Sequence, residues 1–109
     1  MKISEMVSKA HGMAVEKGWW DEDRSVGEAI ALMHSELSEA LEEARKGYAP
    51  GVVYYNGLQN KPEGLGVELA DCVIRIADFC GRHNIDLEER IKEKMAFNES
   101  RERKHGKVF

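Results

Sequence analysis

Only two prolines occur among the 109 residues, so long stretches lack the residue that most effectively breaks a helix. Strand signals are scarce too. Cysteine is limited to Cys72 and Cys80. Eight positions within one predicted helix give about 12 Å of axial rise, which excludes a disulfide between them, and no metal-ligand spacing is formed. No apolar run is long enough to span a membrane, and the opening MKISEMVSKAHGMAVEK carries acids. A signal peptide, transit peptide or membrane anchor is therefore not expected, and the expected location is the cytoplasm. Internal repeats and low-complexity tracts are absent. What is present, 42% hydrophobic and 33% charged residues, suits one globular domain, residues 1–109, rich in helix formers. A helical chain of this size often completes its core by pairing with a copy of itself.

The net charge of −4 is unevenly spread: residues 90 to 109 hold seven Lys or Arg against three acids, leaving −8 on residues 1 to 89. A basic tail could serve as a nucleic-acid arm, but the acidic body would repel a polyanion. A small anion held between acid-bound cations and basic side chains fits the same charges.

Helix signals divide the chain into four. Three starts carry a cap with a glutamate three residues on: Ser25 with Glu28, Asn60 with Glu63, and Asp86 with Glu89. The first helix, about 3 to 17, sets Ile3, Met6, Val7, Ala10, Met13 and Ala14 on one face and stops at Gly18. The second, about 25 to 46, is expected to bury Val26, Ile30, Met33, Leu37, Ala40 and Ala44 and to end at Gly47. The third, about 61 to 82, is expected to bury Leu69, Val73, Ile76 and Cys80, and the fourth, about 87 to 101, to pack Leu87, Ile91 and Met95. The connector GYAPGVVYYNGLQN is long for a helix connection and apolar in its middle, so it covers something or meets a partner chain. The fold class expected is all-α: an antiparallel bundle of four main helices, completed by homo-oligomerisation.

The segment HSELSEALEEAR places Glu36, Glu39, Glu42 and Glu43 in the second helix. With Glu36 at zero on a helical wheel, the apolar stripe falls at about 90°, Glu39 at about −60° and Glu43 at about −20°, while Glu42, at about 240°, faces solvent. The third helix carries VELAD. With Glu68 at zero, Asp71 falls at about −60°, Arg75 at about −20° and the stripe at about 110°. Packed antiparallel, the two helices would each offer an i, i+3 carboxylate pair at the border of the core. Four such carboxylates repel unless they are protonated or neutralised by a cation. Oxygen ligands without His or Cys select a hard ion, Mg2+ with Mn2+ as a substitute, and Mg2+ commonly shares its coordination sphere with phosphate oxygens. In the fourth helix KMAFNESR sets Lys94, Asn98 and Arg101 on one face. That face suits either a solvated basic helix end or a clamp for nucleotide phosphates.

Taken together, ELSEALEEARKG, KPEGLGVELADCVIRIADFCG and KMAFNESRERKHGK resemble the MazG-like nucleoside triphosphate pyrophosphohydrolases of the all-α superfamily, over most of the chain. The family's E-x-x-E, E-x-x-D and K-x-x-x-N-x-x-R elements occur in that order. The resemblance implies that Glu36, Glu39, Glu68 and Asp71 bind Mg2+, that Lys94, Asn98 and Arg101 contact the triphosphate, and that the products are a nucleoside monophosphate and pyrophosphate. Glu39 or Asp71 would orient or deprotonate the attacking water. A homodimer or dimer of dimers, with active sites near the subunit interface, is also implied. So is a role in base recognition for Trp19 or Trp20, with His11 a weaker candidate; a packing role is the alternative for each. Two departures from the family stand out: Ser35 where an acid often precedes the first motif glutamate, and no proline in the tail RERKHGK. Rival expectations are a phosphoribosyl-ATP pyrophosphohydrolase-like activity, or a non-catalytic nucleotide-binding helical dimer that uses Val52, Val53, Tyr54 and Tyr55 as an interaction surface.

Overall fold

Two of the three expected caps form. Ser25 Oγ accepts the backbone N–H of Glu28 at 3.0 Å, and Asp86 Oδ1 accepts that of Glu89 at 3.0 Å; each satisfies one of the first-turn donors that a helix leaves open. A computed structural model describes residues 1–101 as four helices and a small hairpin. The elements in chain order are α1 (Ile3–Glu16), α2 (Val26–Arg45), β1 (Tyr54–Asn56), β2 (Lys61–Glu63), α3 (Leu65–Arg82) and α4 (Leu87–Glu99). Gly18 and Gly47 follow α1 and α2 in the left-handed conformation (φ +86° and +91°), where the sequence places their stops. The eight residues 102–109, with three of the seven Lys and Arg of the basic tail, lie outside the described residues.

The third cap is different. Asn60 caps nothing: at φ +51° it sits in the turn joining β1 to β2, which pair antiparallel with Tyr54 opposite Glu63. The helix starts at Leu65, behind Gly64. Gly64 has φ +135°, and a Cβ there would lie 2.3 Å from the Val52 carbonyl oxygen. Only glycine permits that approach, so the apolar connector folds back onto the start of α3 rather than extending that helix to residue 61. An all-α description thus holds for the helices, with a two-stranded sheet added.

Helix α3 is central: α2 packs on one part of it and α1 on another, while α4 packs against α1. The α1–α3 approach is close at Gly81, where a Cβ would fall 2.5 Å from His11 Cβ. Cys72, Ala77 and Cys80 of α3 are buried, with Ala40 and Glu43 of α2. The expected apolar stripe of α2 is not what meets α3. Val26, Ile30 and Leu37 are 57%, 39% and 45% exposed and Ala44 is exposed as well, whereas Ala40 is buried and Met33 half-buried. On α3, Leu69 and Val73 are exposed, while Ile76 and Cys80 turn inward; Met95 of α4 is exposed. The reason is rotational. Within one chain α2 lays against α3 its face bearing Glu36, Ala40 and Glu43, and the stripe lies about 90° round the helix from Glu36.

Glu43 is 5% exposed, and the Tyr54 hydroxyl lies 2.9 and 2.8 Å from its two carboxylate oxygens, donating to the carboxylate, with Lys46 Nζ at 3.6 Å. That contact pins β1 to α2. It also raises the Tyr54 hydroxyl pKa well above the ordinary range, first through the hydrogen bond to Glu43 and then through burial and the carboxylate's charge. Tyr48 stacks on Tyr54 at 4.8 Å between centroids. No described helix is long and apolar enough to cross a membrane.

Gly64→Ala should lower the unfolding free energy by about 1–3 kcal/mol in urea titrations. Gly66→Ala, where an added Cβ meets nothing closer than 4.0 Å, should leave stability within about 0.5 kcal/mol of the parent or raise it slightly.

Candidate metal and nucleotide site

The seam between α2 and α3 carries charge. Glu36 projects from α2, and Glu68 and Asp71 from the first two turns of α3. One carboxylate oxygen of each lies within 4.8 Å of the others. The i, i+3 spacing places the two α3 acids on one side of that helix, where α2 presents Glu36. Glu39, the fourth acid of the expected set, is exposed and outside this triple, although its charge still reaches Glu68.

Both α3 carboxyls titrate above the ordinary range. Glu68 is raised by burial first, then by the charges of Asp71, Glu36 and Glu39. Asp71 is raised by burial and by Glu36, against partial relief from Lys61 and Arg75. Crowded carboxylates that resist ionising are in the electrostatic condition that a cation relieves. The donor set is all oxygen, which matches a hard divalent ion such as Mg2+ or Mn2+, so Glu36, Glu68 and Asp71 fit such an ion, with Glu39 nearest to joining them.

A side chain already supplies one positive charge. Arg75, one turn after Asp71, donates from Nε to Glu36 Oε1 at 2.9 Å, a charge-assisted bond worth about 1.5–3 kcal/mol in a partly buried setting. Its guanidinium carbon also lies 5.1 Å from the Trp19 ring centroid, and that of Arg24 lies 5.0 Å from the same ring. Arg24 Nε donates to the Trp19 carbonyl oxygen at 3.2 Å.

Glu36, Asp71, Arg75 and Trp19 line one cavity of about 330 Å³, together with Asp78, Ile74, and Ala10, Met13, Ala14 and Lys17 from α1 and its end. A pocket of this size, part apolar and with a few converging charges, is in the range that small ligands occupy. A second cavity, lined by Trp19, Trp20, Arg24 and Arg75 among others, holds only about 30 Å³.

The three base-recognition candidates separate. Trp19 is 44% exposed and lines the larger cavity beside the acids. Trp20 is committed elsewhere: its Nε1 donates to Asp78 Oδ1 at 2.9 Å, and its ring meets Arg82 and the edges of His11 and His83. His11 Nδ1 lies 2.9 Å from the same Asp78 oxygen, and His11 lines neither cavity. Trp20 and His11 thus join α1 and the turn after it to α3. Lys94, Asn98 and Arg101 are exposed along α4 and its end, and line neither cavity. Lys94 Nζ and the Arg101 guanidinium both lie over the Phe97 ring, at 4.9 and 5.5 Å, and no ion pair among the described residues involves either. Within one chain these three are not brought to the acids. Glu43, on the acid side of α2 by the wheel, holds Tyr54 instead of joining the triple. Arg75 and Asp78 were not among the expected site residues, although the wheel places Arg75 on the Asp71 side of α3, and Asp78, seven residues after Asp71, falls on that side as well.

No family model, no curated protein and no solved structure matches this chain.

Because Glu68 and Asp71 bind protons more readily in the folded chain than in the unfolded one, the stability they contribute is present below the ordinary carboxylate pKa. It is lost as pH rises through their raised values. Without divalent cations, Glu68→Gln should therefore match the parent's melting temperature near about pH 4 and exceed it increasingly toward about pH 7. A difference that stays constant across that range, measured by circular dichroism, would contradict the assigned electrostatics.

Proposed function

We propose that this chain is a Mg2+-dependent nucleotide pyrophosphohydrolase of the MazG-like kind, which cleaves nucleoside or deoxynucleoside triphosphates to the monophosphate and pyrophosphate and works in nucleotide-pool housecleaning in the cytoplasm. The observation that carries the reading is the meeting of Glu36, Glu68 and Asp71 beside a cavity that also holds Trp19. Acids and an aromatic face lining one pocket suit a ligand with an anionic part that brings a cation and a flat, apolar part that stacks.

In this reading Glu36, Glu68 and Asp71, with Glu39 drawn in, hold the divalent ion. When bound, that ion neutralises phosphate charge and acidifies water. Glu39 or Asp71 would accept a proton from the water that attacks phosphorus. Lys94, Asn98 and Arg101 bind the triphosphate, Arg101 through a bidentate fork and Lys94 as a point charge. Trp19 offers its ring to the base.

The working unit is a homodimer or dimer of dimers that completes an antiparallel helical bundle. Its support is the uncovered stripe on α2 and α3, formed by Val26, Ile30, Leu37, Leu41, Leu69 and Val73. A contiguous apolar face of this kind on two adjacent helices is the sort of surface that self-association buries. Lys94, Asn98 and Arg101 stand outside their own chain's cavity, which accords with a site completed at a subunit interface.

A second reading, a non-catalytic nucleotide-binding dimer, is favoured by one feature: the connector exposes Val53, Tyr55 and Leu58, a surface catalysis does not need. Canonical and modified nucleoside triphosphates and phosphoribosyl-ATP, incubated with the protein and Mg2+, decide between the readings. Pyrophosphate should be released from at least one of them. Asp71→Asn should lower kcat by at least about 100-fold with an unchanged circular dichroism spectrum, and Lys94→Ala should raise KM by about tenfold. Binding without turnover across the whole panel would favour the second reading.

A further inference from the structure

Arg75 makes two contacts that the functional reading leaves unused, one to Glu36 Oε1 at 2.9 Å and one to the Trp19 ring at 5.1 Å. No other side chain joins the acidic triple to the aromatic face of the cavity among the described hydrogen bonds, ion pairs and cation–π contacts. A divalent cation and the Arg75 guanidinium compete for the charge of Glu36. An ion held by Glu36, Glu68 and Asp71 would repel the Arg75 charge and weaken its bond to Glu36. The one described contact left to Arg75 is then its cation–π contact to Trp19, which is weak and open to displacement by a stacking base; Arg24 contacts the same ring at 5.0 Å and donates to the Trp19 carbonyl oxygen. A flat ligand stacking on Trp19 needs a face of that ring, and Arg75 is the guanidinium whose anchor the cation removes.

Resting on the divalent-cation reading above, we propose that Arg75 is a built-in counter-ion displaced from Glu36 by the metal, and that this exchange frees the Trp19 ring for a nucleobase. Arg75 is thus a positioning residue that orders binding: the cation at the acids first, then the base on the aromatic face. Before the cation arrives, the same arginine offsets part of the charge of Glu36 and Asp71 and rests against the Trp19 ring.

The test is titration of the purified chain with MgCl2, followed by calorimetry and by tryptophan emission. Mg2+ should bind and produce a saturable change in emission that survives in Trp20→Phe and disappears in Trp19→Phe. Arg75→Gln, which removes the competing cation, should lower the Mg2+ Kd by about tenfold and abolish the emission change, whereas Arg75→Lys, which keeps the charge, should stay within about threefold of the parent. Binding heat with no Trp19 response in the parent overturns the exchange and leaves the metal reading standing; this arm needs no variant to fold differently from the parent. Weaker Mg2+ binding by folded Arg75→Gln also overturns it, since Arg75 would then be helping Glu36 bind the ion. Absence of binding heat at any Mg2+ concentration overturns the metal reading and this proposal together.

Discussion

Glu36 and Arg75 meet at 2.9 Å in the seam between α2 and α3, and much of the molecule is arranged around that contact. Two helices that set carboxylates into their common face need compensation for the charge they bring together. One chain supplies it in part, through Arg75 for Glu36 and through Lys61 and Arg75 for Asp71. The remainder shows as raised proton affinity at Glu68 and Asp71. A folded chain that retains unrelieved acid at a helix seam gives up stability there, and such concessions concentrate at functional sites.

The same seam fixes what the rest of the surface looks like. With the acid-bearing face of α2 turned to α3, the Val26, Ile30 and Leu37 stripe cannot reach α3 and stays exposed. The buried interior is correspondingly small-sided: Ala40, Cys72, Ala77 and Cys80 are its buried hydrophobic residues among those described, with no large side chain fully enclosed. Burial raises the Cys80 thiol pKa, and both cysteines are free, so they serve as compact packing groups. Polar anchors do much of the remaining work. Glu43 fastens the hairpin through Tyr54, and Asp78 fastens α1 and the following turn through His11 and Trp20. An acidic seam and an uncovered apolar stripe are thus two outcomes of one helix rotation.

Helix existence was legible in the sequence because its signals are local. The Ser25 and Asp86 caps and the Gly18 and Gly47 stops are decided by a few neighbouring residues. The Asn60 start failed because a non-local contact overrides it: the Val52 carbonyl packs on Gly64, which only the folded connector reveals. Periodicity located the stripes on α2 and α3 correctly as stripes, but it assigned them to the chain's own core. A wheel gives the angle between acids and apolar residues and does not say which face meets a helix of the same chain. The i, i+3 rule found three of the acids that come together, and it left Glu39 at the margin because its wheel position lies farther from the face that meets α3. Arg75 was visible on the correct side of α3, yet its double contact to Glu36 and Trp19 depends on the turn after α1 folding against α3, which no local pattern encodes.

The central claim is that the acidic seam is a divalent-cation site. Anomalous scattering from a crystal of the protein soaked in MnCl2 tests it most directly. The account predicts a peak at coordination distance, about 2.1 Å, from oxygens of Glu36, Glu68 and Asp71, with the Arg75 guanidinium no longer on Glu36. Manganese found elsewhere or nowhere, with Arg75 still bonded to Glu36, would contradict it.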